Sequence, residues 1–365
     1  MKRLVLGLVV AVLSIVAKDG GNARADVLNM PSGQTSLQFV TVGDPGNAAD
    51  RLTGYGSVGC TYQMGKYDVT IAQYCQFLNA VAKTSDPYGL YNSSMAPGSY
   101  YGFPTLGISQ NGSPGKYSYS VTGTYSQAAN CPIFDMTWGD AARFCNWLQN
   151  GQPRRAEGNG TTETGAYTLN GTATNWMAVT RNSTATYFIP SENEWYKAAY
   201  YDPTLNGGAG GYWIYPTKSN TPPSNVVSRT GTNNANYYIS GYTDPTNYLT
   251  PVGSFVSSRG PYGTYDMGGD VLQWTEADIT SLCRGLRGGA FDKPGFSVYY
   301  PSSYDLASYN RDYYNYPNSE NNPDVGFRVA SLVTPTPEPS SLVALSGLGA
   351  VGLLPAWRRR KRTAA

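Results

Sequence analysis

The chain has 365 residues, 41% hydrophobic and 13% aromatic, which is enough apolar surface to bury a sizeable core in one large domain or two small ones. With 42 glycines, 24 prolines, 31 tyrosines and only 14% charged residues, the composition suits a loop-rich fold held by aromatic packing more than a helical bundle. The formal charge of +2 belongs to the ends, since residues 26–334 alone carry a formal −5 with no basic stripe, and the absence of histidine removes imidazole as metal ligand or triad base.

In chain order, Met1-Lys2-Arg3, the apolar stretch 4–17 and Ala23-Arg24-Ala25 read as a secretory signal over residues 1–25, cleaved after Ala25. The apolar stretch is too short for the roughly 20 residues a membrane span needs. Residues 63–67 read as extended. Thr70 then caps a helix with Ile71, Tyr74, Phe77, Leu78 and Val81 on one face. A second helix follows Met136-Thr137, with Trp138, Ala141, Phe144, Cys145 and Leu148 on its apolar side. Ser191-Glu192-Asn193-Glu194 is a capping box ahead of Trp195, Ala198 and Ala199, and it explains Glu192 and Glu194 better than acid–base catalysis does. Residues 85–130 and 150–180 read as long loops or irregular strands.

Five cysteines, at 60, 75, 131, 145 and 283, have no C-x-x-C spacing, so an oxidising compartment allows one or two disulfides with a thiol left over. No repeat of 20 to 50 residues and no G-x-S-x-G turn is present. Beyond the body, Thr334-Pro335-Thr336-Pro337-Glu338-Pro339 favours an extended linker. It leads to the apolar, Gly-rich residues 340–357 and to Arg358-Arg359-Arg360-Lys361-Arg362, whose charge stops the segment in the membrane with the basic end cytoplasmic. Pro337-Glu338-Pro339, the apolar helix and the Arg cluster together resemble the PEP-CTERM sorting signal of Gram-negative bacteria. The resemblance implies that residues 335–365 are a transmembrane sorting segment cut by an exosortase. It places the protein in the cell envelope or on the outer surface, membrane-anchored before processing and associated with extracellular polysaccharide.

Seven ordered motifs span roughly residues 60–330. They are Met64-Gly65 through Thr70 to Gln73-Tyr74; Pro132-Ile133 through Trp138 to Leu148; Ile189-Pro190-Ser191 to Ala199; Pro251-Val252-Gly253-Ser254-Phe255; Gly263 to Trp274; Arg287-Gly288-Gly289-Ala290-Phe291; and Gly326-Phe327-Arg328. In this order they resemble the formylglycine-generating-enzyme, or sulfatase-modifying-factor, family. The resemblance implies a domain over residues 26–334 with an α+β fold related to C-type lectins, short helices and strands joined by long loops. The tryptophans, Gly-Gly and Gly-Phe-Arg have a structural explanation first, as aromatic anchors, tight turns and a guanidinium satisfying loop carbonyls.

Active members of that family hold copper(I) on two cysteines that here align with Lys293 and Val298, and their serine aligns with Ala290. Neither replacement is a soft ligand, so copper is not expected. Iron-dependent relatives use histidines, which this chain lacks. The resemblance further implies structural calcium at Asn236, Tyr237, Asp244 and Thr246, and at a weaker second site of Asp270, Val271 and Gln273, where Asp stands for Asn and Gln for Glu. The function expected from these readings is a non-catalytic envelope module binding a polysaccharide or an envelope protein. The alternatives are a diverged metal-dependent oxidase of the family and a purely structural matrix component.

Overall fold

The computed structural model describes residues 26–27, 36–99, 102–171, 176–292, 302–312, 317–318 and 322–332. Residues 1–25 and the sorting residues Pro337, Glu338, Pro339, Arg358, Arg359 and Arg360 lie outside them. Among the described residues no helix is long and apolar enough to cross a membrane.

All three expected helices form, each opened by a reciprocal capping box. Helix α1 spans Ile71–Val81, with the Gln73 amide donating to Thr70 Oγ1 and the Thr70 amide to Gln73 Oε1 at 2.8 Å. Helix α2, Trp138–Gln149, uses Thr137 and Asp140 in the same way, and α3, Glu192–Tyr200, uses Ser191 and Glu194. The sequence pattern pointed to the third box alone, since Gln73 and Asp140 at the other N3 positions are weaker signals than Glu. The apolar faces of α1 and α2 meet through aromatic contacts, Phe77 lying 5.4 Å from Phe144 and 5.2 Å from Trp147.

An antiparallel sheet of five short strands runs in the order β1 (Asp26–Val27), β2 (Gln38–Val42), β3 (Tyr62–Gly65), then the last strand (Ala330–Ser331), then Tyr187–Phe188. Ala330 pairs with Met64 on one side and Phe188 on the other, so the end of the domain closes against its beginning. A hairpin of β4 (Gly107–Asn111) and β5 (Ser118–Thr122) lies within the span read as loops or irregular strands. A second sheet places the strand Leu272–Asp278 antiparallel to Arg284–Arg287 and parallel to Val325–Gly326, bringing the Gly-Phe-Arg and Arg-Gly-Gly elements together.

Long loops leave many carbonyls without ladder partners, and buried side chains with several donors satisfy them. The indole N–H groups of Trp138, Trp147 and Trp274 donate to Thr275, Pro153 and Met136 carbonyls, and that of Trp195 to Gln273 Oε1. Arg328 donates to the Gly65 and Tyr265 carbonyls at 2.7 Å each, to Gln273 Oε1 at 3.1 Å and to Asp68 Oδ1 at 3.2 Å. Arg284 donates to the carbonyls of Trp176, Val179 and Glu276 and lies 3.9 Å from the Trp138 ring. Arg143 pairs with Glu163 at 2.7 Å. Glu194 completes its cap, whereas Glu192 does something the capping pattern did not suggest: it pairs with Arg287 at 2.5 Å and Arg311 at 2.9 Å.

Two carboxyls elsewhere tie stability to pH. Burial pushes Asp140 up to about 7, and burial with the neighbouring Asp86 carboxylate pushes Glu157 up to about 9, so Glu157 keeps its proton at neutral pH. A carboxyl whose folded pKa is raised favours folding fully below its ordinary value, and that contribution is lost as pH rises through the folded value. The protein is therefore expected to melt higher at pH 6 than at pH 9, by about 2 kcal/mol after discounting Glu157 for partial exposure, or on the order of 5 °C. Differential scanning calorimetry checks this. Glu157→Gln takes away the titrating carboxyl and should flatten the profile between pH 7 and 9; an unchanged slope would remove Glu157 as its source.

Candidate functional site

The Arg287-Gly288-Gly289-Ala290-Phe291 element leaves the second sheet under firm control. Arg287, 2% exposed, donates to Glu192 and to the Ser308 and Asn310 carbonyls, with the rings of Tyr55 and Tyr196 each 5.2 Å from its guanidinium. The Gly269 amide donates to the Gly288 carbonyl, and the Phe291 amide to that of Asp270. Gly269 is required here: at φ +88° it passes so close to Asn236 that a Cβ would stand 2.2 Å from the Asn236 carbonyl oxygen. The cavity behind Arg287 and Gly289 measures about 30 Å³, room for about one water.

The structure brings Asn236 and Asp270, drawn from the two expected calcium sites, into direct contact. Asn236 Nδ2 donates to Asp270 Oδ1 at 2.6 Å and to the Tyr248 carbonyl at 2.9 Å, while the Thr250 amide and hydroxyl both donate to Asp270. Burial and then the charge of Asp266 push the Asp270 carboxyl upward, against the pull of these hydrogen bonds. Asn236 Oδ1 is buried without a hydrogen-bond partner, whereas both Asp270 oxygens are occupied by donors from Asn236 and Thr250, so the open ligand atom here is that of Asn236 alone. Asp244 instead closes its own turn, accepting from the Thr246 and Asn247 amides and from Asn247 Nδ2; these bonds outweigh burial and hold its carboxyl below the ordinary range. Thr246 engages Asp244 through its amide, Tyr237 donates its hydroxyl to the Pro223 carbonyl, and Val271 is fully buried. Gln273 is spent in the core, accepting from Trp195 and Arg328 and donating to the Asp266 carbonyl. Among the described residues no group of three or more Cys, Asp or Glu side chains is arranged to hold a metal ion.

Pinned at Asn236, Asp244 and Thr250, the loop of residues 236–250 lays its tyrosines against Phe291. Phe103 lies edge-on to Phe291 at 5.2 Å, Tyr248 is 5.8 Å from Phe291, Tyr242 is 4.8 Å from Tyr248, and Tyr238 is 5.0 Å from Tyr242. The run passes from buried Phe103 to Tyr242, which is 38% exposed. Sequence reasoning did not find this face. Its only local signal is four tyrosines within residues 237–248.

Copper(I) does not fit the donors present. Ala290 is fully buried and offers a methyl group; Lys293 and Val298 lie outside the described residues and bring no thiol. All five cysteines are free rather than disulfide-bonded. Burial pushes the Cys75 thiol up to about 11 and raises those of Cys131 and Cys145 as well, so these are thiols, not thiolates, at neutral pH.

A family model described as the sulfatase-modifying factor enzyme 1-like domain matches residues 30–333. The chain belongs to this family. As a sulfatase-modifying-factor domain it has the α+β formylglycine-generating-enzyme fold, which is related to that of the C-type lectins. Solved structures similar to the domain include Treponema denticola variable protein 1, at 15% identity over 84% of this chain and 98% of that one, with a TM-score of 0.46. They also include CarF, at 16% identity, 82% and 99% coverage and a TM-score of 0.45. PvdO from Pseudomonas aeruginosa is a third, at 17% identity, 85% and 98% coverage and a TM-score of 0.42. No curated protein matches the chain.

Proposed function

We propose that this sulfatase-modifying-factor domain is an exported cell-envelope module that binds polysaccharide without altering it. The observation that carries this reading is the aromatic run Phe103, Phe291, Tyr248, Tyr242 and Tyr238, which starts in the core at Phe103 and reaches the surface at exposed Tyr242 and half-buried Tyr238. A pyranose has an apolar C–H face that stacks on such rings, and its hydroxyls bond to phenols, which rigid tyrosines offer at low entropic cost. Export rests on residues 1–25, and sorting by an exosortase-type partner on residues 335–365. Calcium enters this proposal as a structural ion at Asn236, supported by its buried, unpartnered Oδ1.

Affinity electrophoresis of the full chain in gels containing dextran, xylan or hydroxyethylcellulose tests the reading. Retardation by at least one polymer is expected, and Tyr238→Ala with Tyr242→Ala should weaken it about thirtyfold, since each stacked ring contributes roughly 1 kcal/mol. Equal retardation of parent and variant, or free migration in every gel, would end the proposal for this face.

A further inference from the structure

A groove of about 580 Å³ opens between the end of β3 with the first turn of α1, the segment ahead of Cys131, and residues 251–254. That volume falls within the range of small-molecule sites. Its only charged side chain is Asp68, whose carboxylate is fully buried. Asp68 Oδ1 accepts from Arg328, while Oδ2 is buried with no hydrogen-bond partner, a costly state for a carboxylate oxygen. Gln127 and Asn130, both exposed, border the same groove with side-chain amides that make no hydrogen bond within the described residues. The half-buried Tyr67 ring packs 5.5 Å from Tyr265. Gly253 lets the 251–254 turn close on that ring: at φ +78°, a Cβ there would come within 2.8 Å of Tyr67 Cε1.

The lining selects among ligand classes. An anion would meet the charge of Asp68, and the neighbouring Lys66 lies over the Tyr67 and Tyr265 rings at 5.2 and 5.6 Å and does not line the walls. A cation would find one carboxylate, already shared with Arg328. An apolar peptide would need open hydrophobic pockets, but Leu37, Val69 and Val329 are 6%, 1% and 1% exposed. Free amides, a phenol and an aromatic face suit a neutral ligand rich in hydroxyls.

We propose that this groove binds a neutral saccharide unit, with Gln127 and Asn130 holding neighbouring sugar hydroxyls and Tyr67 under the apolar face of the ring. The proposal is independent of the tyrosine face around Tyr242, with which it shares no residue.

The test is saturation-transfer NMR and titration calorimetry on the full chain with maltotriose, cellotriose and chitotriose, and with trigalacturonate as the charged comparison. At least one neutral probe is expected to bind, and trigalacturonate to bind more weakly. The double variant Gln127→Ala with Asn130→Ala alters two exposed side chains without touching the core, and should weaken binding about tenfold through lost hydrogen bonds. Parent and double variant are compared in a Tyr238→Ala, Tyr242→Ala background, so that sugar held at the other face does not enter the comparison. Failure of all three neutral probes, equal binding by the double variant, or tighter binding of trigalacturonate would overturn the proposal.

Discussion

Arg328→Met should lower the melting temperature by about 10 °C, the largest stability effect of any single side chain named above. Arg328 is the one group that joins the Gly65 carbonyl of β3, the Tyr265 carbonyl, Gln273 of the second sheet and the Asp68 carboxylate. Methionine fills most of the volume but donates nothing, so it leaves a buried carboxylate without its counter-charge and two carbonyls without donors. Breaking a buried pair from one side costs about 3 to 5 kcal/mol, and for a domain of this size each kcal/mol moves the melting temperature by roughly 2 to 4 °C. Burial already pushes the Asp68 carboxyl well above its ordinary range, with Arg328 as the main opposing influence, so in the variant Asp68 takes up a proton rather than remaining a bare charge. Adding Asp68→Asn should therefore recover the charge part of the loss and not the carbonyl part. Melting curves that show no loss for Arg328→Met would mean that the four hydrogen bonds do not hold the two sheets together. Full recovery in the double variant would mean that only the charge mattered.

Much of this architecture is legible from local sequence, because helix caps and apolar faces act within one or two turns. Thr70, Thr137 and Ser191 each stand one residue before a helix, and the stripe Ile71, Tyr74, Phe77, Leu78, Val81 is buried as its spacing requires. The guanidinium expected to satisfy loop carbonyls is Arg328, which does so. What could not be read depends on chain segments far apart in sequence. Glu192 looks like a helix-start acid until Arg287, 95 residues away, is brought against it. Glu157 looks like an exposed loop residue until the fold buries it with Asp86 beside it, and both raise its pKa. The aromatic run combines residues 103, 242, 248 and 291, which no spacing rule connects, and the groove at Asp68 combines five separate segments. Family motifs locate the scaffold, whereas Tyr238, Tyr242, Gln127 and Asn130 lie between the motifs and follow no pattern.

The second large effect concerns chemistry: no aldehyde should form on a cysteine-containing sulfatase-type peptide, even with copper and reductant supplied. The family resemblance places copper(I) on two thiolates beside the substrate cysteine, and counting on from Arg287 without a gap puts Lys293 and Val298 at those positions. An ammonium repels the cation and an isopropyl group donates nothing, while Ala290 replaces the serine and is sealed into the core. The remaining cysteines do not compensate. Cys75, Cys131 and Cys145 are buried thiols whose pKa values lie above neutrality, Cys283 is buried at the strand that precedes the Arg-Gly-Gly element, and Cys60 is exposed in a distant loop. Lys293→Cys with Val298→Cys should restore copper binding at most, because two thiols return the ligands without the serine or the pocket that positions a peptide. Mass spectrometry of the peptide after incubation distinguishes the outcomes: an unmodified cysteine with both proteins supports a binding module, and copper-dependent loss of the thiol to an aldehyde with the parent protein would make the oxidase reading the correct one.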